Sequence, residues 1–146
     1  MPSAPLMNSQ PVAFISYSHT ERESEWVEQF AQALRDQGIG VWLDAEDVPA
    51  GERLPDAIEK GLRSSDVIVA IIDADSAQSP WVSFEIGAAL GMGKRLIAVV
   101  PTGTRSEALP AAIRARRFLV RNEPTETATK VAAAIAQASE ISAKSA

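Results

Sequence analysis

Short apolar runs alternate along the chain with longer stretches in which apolar positions recur every three or four residues. Val12–Tyr17 reads as a strand and Thr20–Gln37 as a helix. In that helix Trp26, Phe30 and Leu34 fall at i, i+4 and i+8, with Val27 and Ala31 beside them. Thr20 and Glu23 have the spacing of a capping box, and Gly38 supplies a C-terminal stop, so both ends of the helix are marked. Ile39–Leu43 is a second strand, followed by an acidic loop containing Pro and Gly that runs from Asp44 to Arg53. A short helix over Leu54–Leu62 places Leu54, Ile58 and Leu62 on one side. Asp66–Ile72 is almost continuously apolar, the mark of a central strand covered on both faces. Ser79 as cap and Pro80 at the first helical position open a helix to Met92, with Val82, Ile86 and Leu90 as its packing stripe. Arg95–Val100 and Arg116–Val120 complete the strands, and Thr125–Ala138 is a closing Ala-rich helix.

Strands that alternate with helices imply an α/β fold of βαβ units. Five strands predict a flavodoxin-like parallel sheet, order 2-1-3-4-5, with helices on both faces. Met1–Pro11 reads as a flexible N-terminal tail, 12–140 as the domain and 141–146 as a C-terminal tail. Ligands of such sheets bind beyond the carboxyl ends of the strands. That edge holds Ser16–Thr20, Asp44–Arg53, Asp73–Glu85 and Pro101–Arg105.

Composition narrows the chemistry. The 146 residues include no Cys and one His, which removes disulfides, thiolate metal sites, a Cys nucleophile and any multi-histidine metal centre. With 14 Lys+Arg against 19 Asp+Glu, the net charge of −5 speaks against a sequence-independent nucleic-acid binder. Residues 1–65 are net acidic and residues 66–122 slightly basic. The longest apolar run is about six residues, against the roughly 20 needed to span a bilayer. The N-terminus lacks the basic start and apolar segment of a signal peptide. A cytoplasmic domain is expected, without membrane or direct nucleic-acid contact, its chemistry resting on carboxylates, hydroxyls and backbone.

Three segments converge on the ligand edge: Phe14-Ile-Ser-Tyr-Ser-His19, the stretch from Trp42 to Glu52, and Ser79-Pro-Trp-Val-Ser-Phe-Glu85. In this order and spacing they resemble a TIR (Toll/interleukin-1 receptor and resistance protein) domain of the bacterial NAD-cleaving type. The first is similar to the family's opening strand and the second to its BB loop. The third is similar to the start of its αC helix, where enzymatic members have a glutamate four residues after a tryptophan. The resemblance continues through Gly93-Lys-Arg-Leu-Ile97 and covers about residues 12–138. It implies an NAD nucleosidase that cleaves the nicotinamide–ribose bond. The products would be nicotinamide with ADP-ribose or a cyclic ADP-ribose signal, made on self-assembly in bacterial anti-phage defence.

Trp81 and Glu85 share one side of their helix and can line one pocket. A lone carboxylate suits the implied reaction. Ordinary glycosidases need a second carboxyl group to protonate the leaving oxygen. Nicotinamide leaves a pyridinium as a neutral molecule and needs no proton. Glu85 is therefore the catalytic candidate, holding ribose hydroxyls while its charge faces the developing cation, and Trp81 offers the substrate an aromatic face. The other candidates for substrate binding are Ser16, Ser18, His19, Asp44 and Asp47. Four of them have a plainer alternative: local hydrogen bonding for Ser16, solvent exposure for His19, and turn formation and solvation for the two aspartates.

No Gly-rich dinucleotide fingerprint follows the first strand, so NAD would be a consumed substrate and no cofactor is expected. Gly87–Lys94 approximates a phosphate-binding loop, but it sits in a helix and Arg95 follows the lysine. Ser16 or Ser18 with His19 lacks a nucleophile elbow. Two rivals remain: a nucleoside deoxyribosyltransferase with one essential Glu, and a non-enzymatic TIR adaptor that acts by docking other TIR domains through the BB loop. The resemblance also admits an effector or sensor subunit or a fused domain as partner. Asp44, Glu46, Asp47 and Glu52 face the opposite sign at Arg114, Arg116, Arg117 and Arg121, a layout suited to head-to-tail contacts.

Overall fold

The computed structural model describes residues 10–17, 21–43, 56–72, 80–105, 107, 109, 111–114 and 118–145; for 21–22, 56–59, 80–85, 111–112 and 138–145 it describes the backbone course alone. Strands β1 (Val12–Ser16), β2 (Gly40–Leu43), β3 (Val67–Ile71), β4 (Arg95–Val100) and β5 (Leu119–Val120) alternate with helices α1 (Glu21–Asp36), α2 (Asp56–Ser64), α3 (Pro80–Gly91), α4 (Ala111–Arg114) and α5 (Pro124–Ser145). The strands form one parallel sheet in the order β2-β1-β3-β4-β5, as the sequence pattern predicts.

Strand alternation divides the core in two. Ala13, Ile15, Val67, Val69, Ile71, Ile97 and Val99 point to one face, covered by Val27, Phe30, Ala31 and Leu34 of α1 and Ala128, Val131 and Ile135 of α5. Phe14, Ile68, Ala70, Leu96 and Ala98 point to the other, covered by Leu62 of α2, Ile86 and Ala89 of α3 and Ile113 of α4. All five residues of β3 are buried, as its unbroken apolar run requires. Two hydrogen bonds between Val12 and Asp66, both 2.8 Å, pin the start of β1 beside β3.

Two glycines end the long inner helices in the same way. After α1, Gly38 (φ 84°) donates to Arg35 at 3.0 Å and Ile39 to Leu34 at 3.1 Å. After α3, Gly93 (φ 76°) donates to Leu90 at 3.0 Å and Lys94 to Ala89 at 2.9 Å. Each pair is a Schellman stop, which needs the left-handed conformation glycine adopts without penalty. Gly93 is thus a helix terminator, and the phosphate-loop likeness of Gly87–Lys94 dissolves into a helix and its cap.

Several elements differ from expectation. The closing helix reaches Ser145 instead of Ala138, running through residues 141–145, which the sequence pattern set apart as a tail. No Pro or Gly follows Pro124 to stop it. β5 is confined to Leu119–Val120, with Phe118 before it and Arg116 and Arg117 outside the described residues. α4 is a single turn, too short for periodicity to register. On α3 Ile86 is buried and Leu90 half-buried against the same core, with Ala89 joining them, while the Val82 side chain lies outside the described residues.

Candidate functional site

A helix that crosses between parallel strands runs back against them, so it starts at the edge where strands end. α1 and α3 therefore begin at the same edge, on opposite faces of the sheet. Ser16 closes β1 at that edge. It is fully buried, in register with Ala70 of β3, and alternates with Ile15 so that it shares the α3 face with Phe14. Trp81 and Glu85 occupy the first two turns of α3, and Glu85 lies one turn before the buried Ala89. The fold thus brings Ser16 and the Trp81–Glu85 backbone to one edge and one face. Ser18, His19, Asp44 and Asp47 lie outside the described residues, as do Thr20 and Ser79 of the expected caps; Asp44 directly follows the last residue of β2 in the chain.

A second group at this edge carried no sequence signal. Arg121, just past β5, donates to both carboxylate oxygens of Glu23 in the first turn of α1, at 2.7 and 3.0 Å. The two side chains are 15% and 7% exposed, so the pair is largely withdrawn from water. The guanidinium lies 4.1 Å from the centre of the Trp26 ring, and Trp26 stacks on Phe30 with centroids 5.1 Å apart. The Trp26 indole N–H donates to the Asn122 carbonyl at 3.2 Å, and the Asn122 N–H donates to Thr127 Oγ1 at 2.9 Å. Glu23 read as a capping residue and Arg121 as surface charge, because 98 positions separate them and no local pattern links them.

This corrects the proposed charge layout. Arg121 is committed within the fold and is not part of an open basic patch. Arg114 is exposed but lies before β5, whereas Arg121 lies after it. A cleft of about 420 Å³ opens past β4 and β5, lined by Pro101, Thr102, Arg121, Asn122, Glu123 and Glu126. It lies on the same carboxyl edge of the sheet, at its β4–β5 end, across β3 from Ser16 on β1. Among the described residues no three of His, Cys, Asp and Glu gather as metal ligands, and no helix is long and apolar enough to cross a membrane.

A "Probable 2' cyclic ADP-D-ribose synthase" (TcpO) of Methanobrevibacter olleyae is 35% identical over 72 residues, 49% of this chain and 21% of that protein. A 2' cyclic ADP-D-ribose synthase (AbTIR) of Acinetobacter baumannii is 29% identical over 73 residues, 50% of this chain and 27% of that protein. The matches thus span about half of this chain and less than a third of either relative's length. Among solved structures, a metazoan TIR-STING receptor from C. gigas superposes with a TM-score of 0.65 at 21% identity, covering 84% of this chain and 41% of that one, and shares its fold. The TIR domain family model matches residues 13–136, nearly the whole described sheet and its helices. The chain belongs to the TIR domain family.

Proposed function

We propose that this TIR domain consumes NAD, breaking the nicotinamide–ribose bond and closing the ADP-ribose that remains into a cyclic product. The observation that carries the reading is Glu85. It is the single charged residue of α3, one turn after Trp81, on a helix that begins at the ligand edge of the sheet. Family membership and relatives named as 2' cyclic ADP-D-ribose synthases support it.

The chemistry follows from the leaving group. As the C–N bond of the ribosyl pyridinium lengthens, its electron pair moves onto nicotinamide, which departs neutral, and positive charge develops on the ribose. The Glu85 carboxylate stabilises that charge and orients the sugar hydroxyls. Attack by a 2′-hydroxyl within the same molecule closes the ring and releases a proton; attack by water gives ADP-ribose and a proton. Trp81 stacks on the substrate and keeps water from the cation, and contacts of this kind are worth about 1 kcal/mol. Ser16 lines the same edge, and Ser18, His19, Asp44 and Asp47 belong to the loops that complete the pocket.

The same reading ties activity to self-assembly through the BB loop, in the defence setting that the family resemblance implies. With Arg121 committed to Glu23, Arg114, Arg116 and Arg117 are left as the basic side of such a contact. The test is incubation with NAD at high protein concentration, wild type beside Glu85→Gln, with products separated by mass. Nicotinamide and a cyclic product from wild type alone are expected, with Trp81→Ala shifting products toward ADP-ribose. Turnover by Glu85→Gln at the wild-type rate would remove the catalytic assignment, and an assembled wild type inert toward NAD would leave a docking module.

A further inference from the structure

We propose that Glu23 and Arg121 are positioning residues for the reaction, clamping the start of α1 to the sheet edge just past β4 and β5; this rests on the NAD-cleaving reading above. The backbone of Arg121 is itself part of the sheet, its N–H donating to the Val100 carbonyl at 2.7 Å. From that fixed base the guanidinium reaches both oxygens of Glu23 while its central carbon lies over the Trp26 ring. Two bonds and a stacked ring determine both the distance and the rotation of the helix start, which an apolar contact or a single ammonium charge does not.

β1 is held from the other side. Asp66 pins its first residue, and Tyr17, 5% exposed, anchors the chain as it leaves the strand. Three residues separate Tyr17 from Glu21, the first residue of α1. The clamp therefore sets where α1 begins relative to Ser16 and the sheet edge. A misplacement of about 1 Å at a reacting site costs on the order of 100-fold in rate.

The test uses the full chain and the conservative variants Arg121→Lys, which keeps the charge without the fork, and Glu23→Gln, which keeps one acceptor. For each, KM and kcat for NAD are measured together with the thermal midpoint and amide hydrogen exchange at α1 and β3. The expected result for Arg121→Lys is a kcat/KM lowered by about 10-fold or more, with faster exchange confined to the first turn of α1 and β3 unchanged. Glu23→Gln shifts the same quantities in the same direction, so either variant suffices if the other folds poorly. A lower midpoint with unchanged kcat/KM, or exchange that rises uniformly, would make the pair purely structural and overturn the proposal. A wild type that releases no nicotinamide overturns the NAD-cleaving reading, and the reaction-positioning role goes with it. An active wild type whose variants keep its kcat/KM overturns the clamp alone.

Discussion

α1 and α3 start at one edge of the sheet and each carries an acid in its first two turns, yet they are built in opposite ways. α1 is amphipathic: Val27, Phe30, Ala31 and Leu34 are buried, while Glu25, Glu28, Gln29, Gln32 and Arg35 face solvent. On such a helix an acid is ordinary, and the folded chain answers Glu23 with Arg121. α3 is apolar along nearly its whole length, has no Lys or Arg, and carries Glu85 as its lone charge. An acid at a ligand edge therefore does not by itself mark chemistry. What separates the two is their setting: Glu23 is buried and answered by Arg121, whereas Glu85 is the lone charge of an apolar helix, which is why the proposed chemistry is placed on it.

Substitutions sharpen that contrast, beginning with the largest expected effect. Glu85→Gln should lower nicotinamide release by about 1,000-fold, the scale of losing an electrostatic contact to the transition state, with the thermal midpoint unchanged. Arg121→Met removes the two guanidinium hydrogen bonds to the buried Glu23 carboxylate and should cost about 3–5 kcal/mol in denaturant unfolding. A cost below about 1 kcal/mol would reduce the pair to a surface contact and erase the difference between the two acids. Gly61→Ala tests the α2–α3 face: a Cβ there would meet the Trp42 ring at 2.9 Å and Phe14 at 3.2 Å. Overpacking of this kind costs about 1–3 kcal/mol, read as a lower unfolding midpoint.

The smallest pair sets a helix end against a helix interior. Gly38→Ala forces a side chain into the left-handed conformation and should destabilise by about 1 kcal/mol. Gly87→Ala, in the exposed part of α3 with open space around its Cβ position, should stabilise by about 0.5–1 kcal/mol. Equal and opposite shifts in the unfolding midpoint are the expected readout; a loss at Gly87 would mean that this face of α3 needs its bare backbone.

Much of the frame was legible from residues near one another. The spacing of Trp26, Phe30 and Leu34 marked α1, and Phe30 and Leu34 are fully buried while Trp26 caps the stripe by stacking on Phe30. Pro80 marked the start of α3, and the run ending at Ile72 marked the central strand. Of the candidate site, the spacing of Trp81 and Glu85 and the place of Ser16 at the strand end were legible too. Local signals failed where nothing local acts: one turn at α4 is too brief for a period, and the end of α5 has no stop to read.

The amino-acid order by itself determined most of the elements and their succession, because each depends on contacts within a turn or two or on the two-residue alternation of a strand, and their alternation in turn implied the parallel sheet. Only the tertiary structure decided which charge answers Glu23, which stripe of α3 meets the sheet, and why Gly61 carries no side chain beneath Trp42. Those choices join residues tens of positions apart, and the pairing of such residues exists only once the whole sheet has assembled around them.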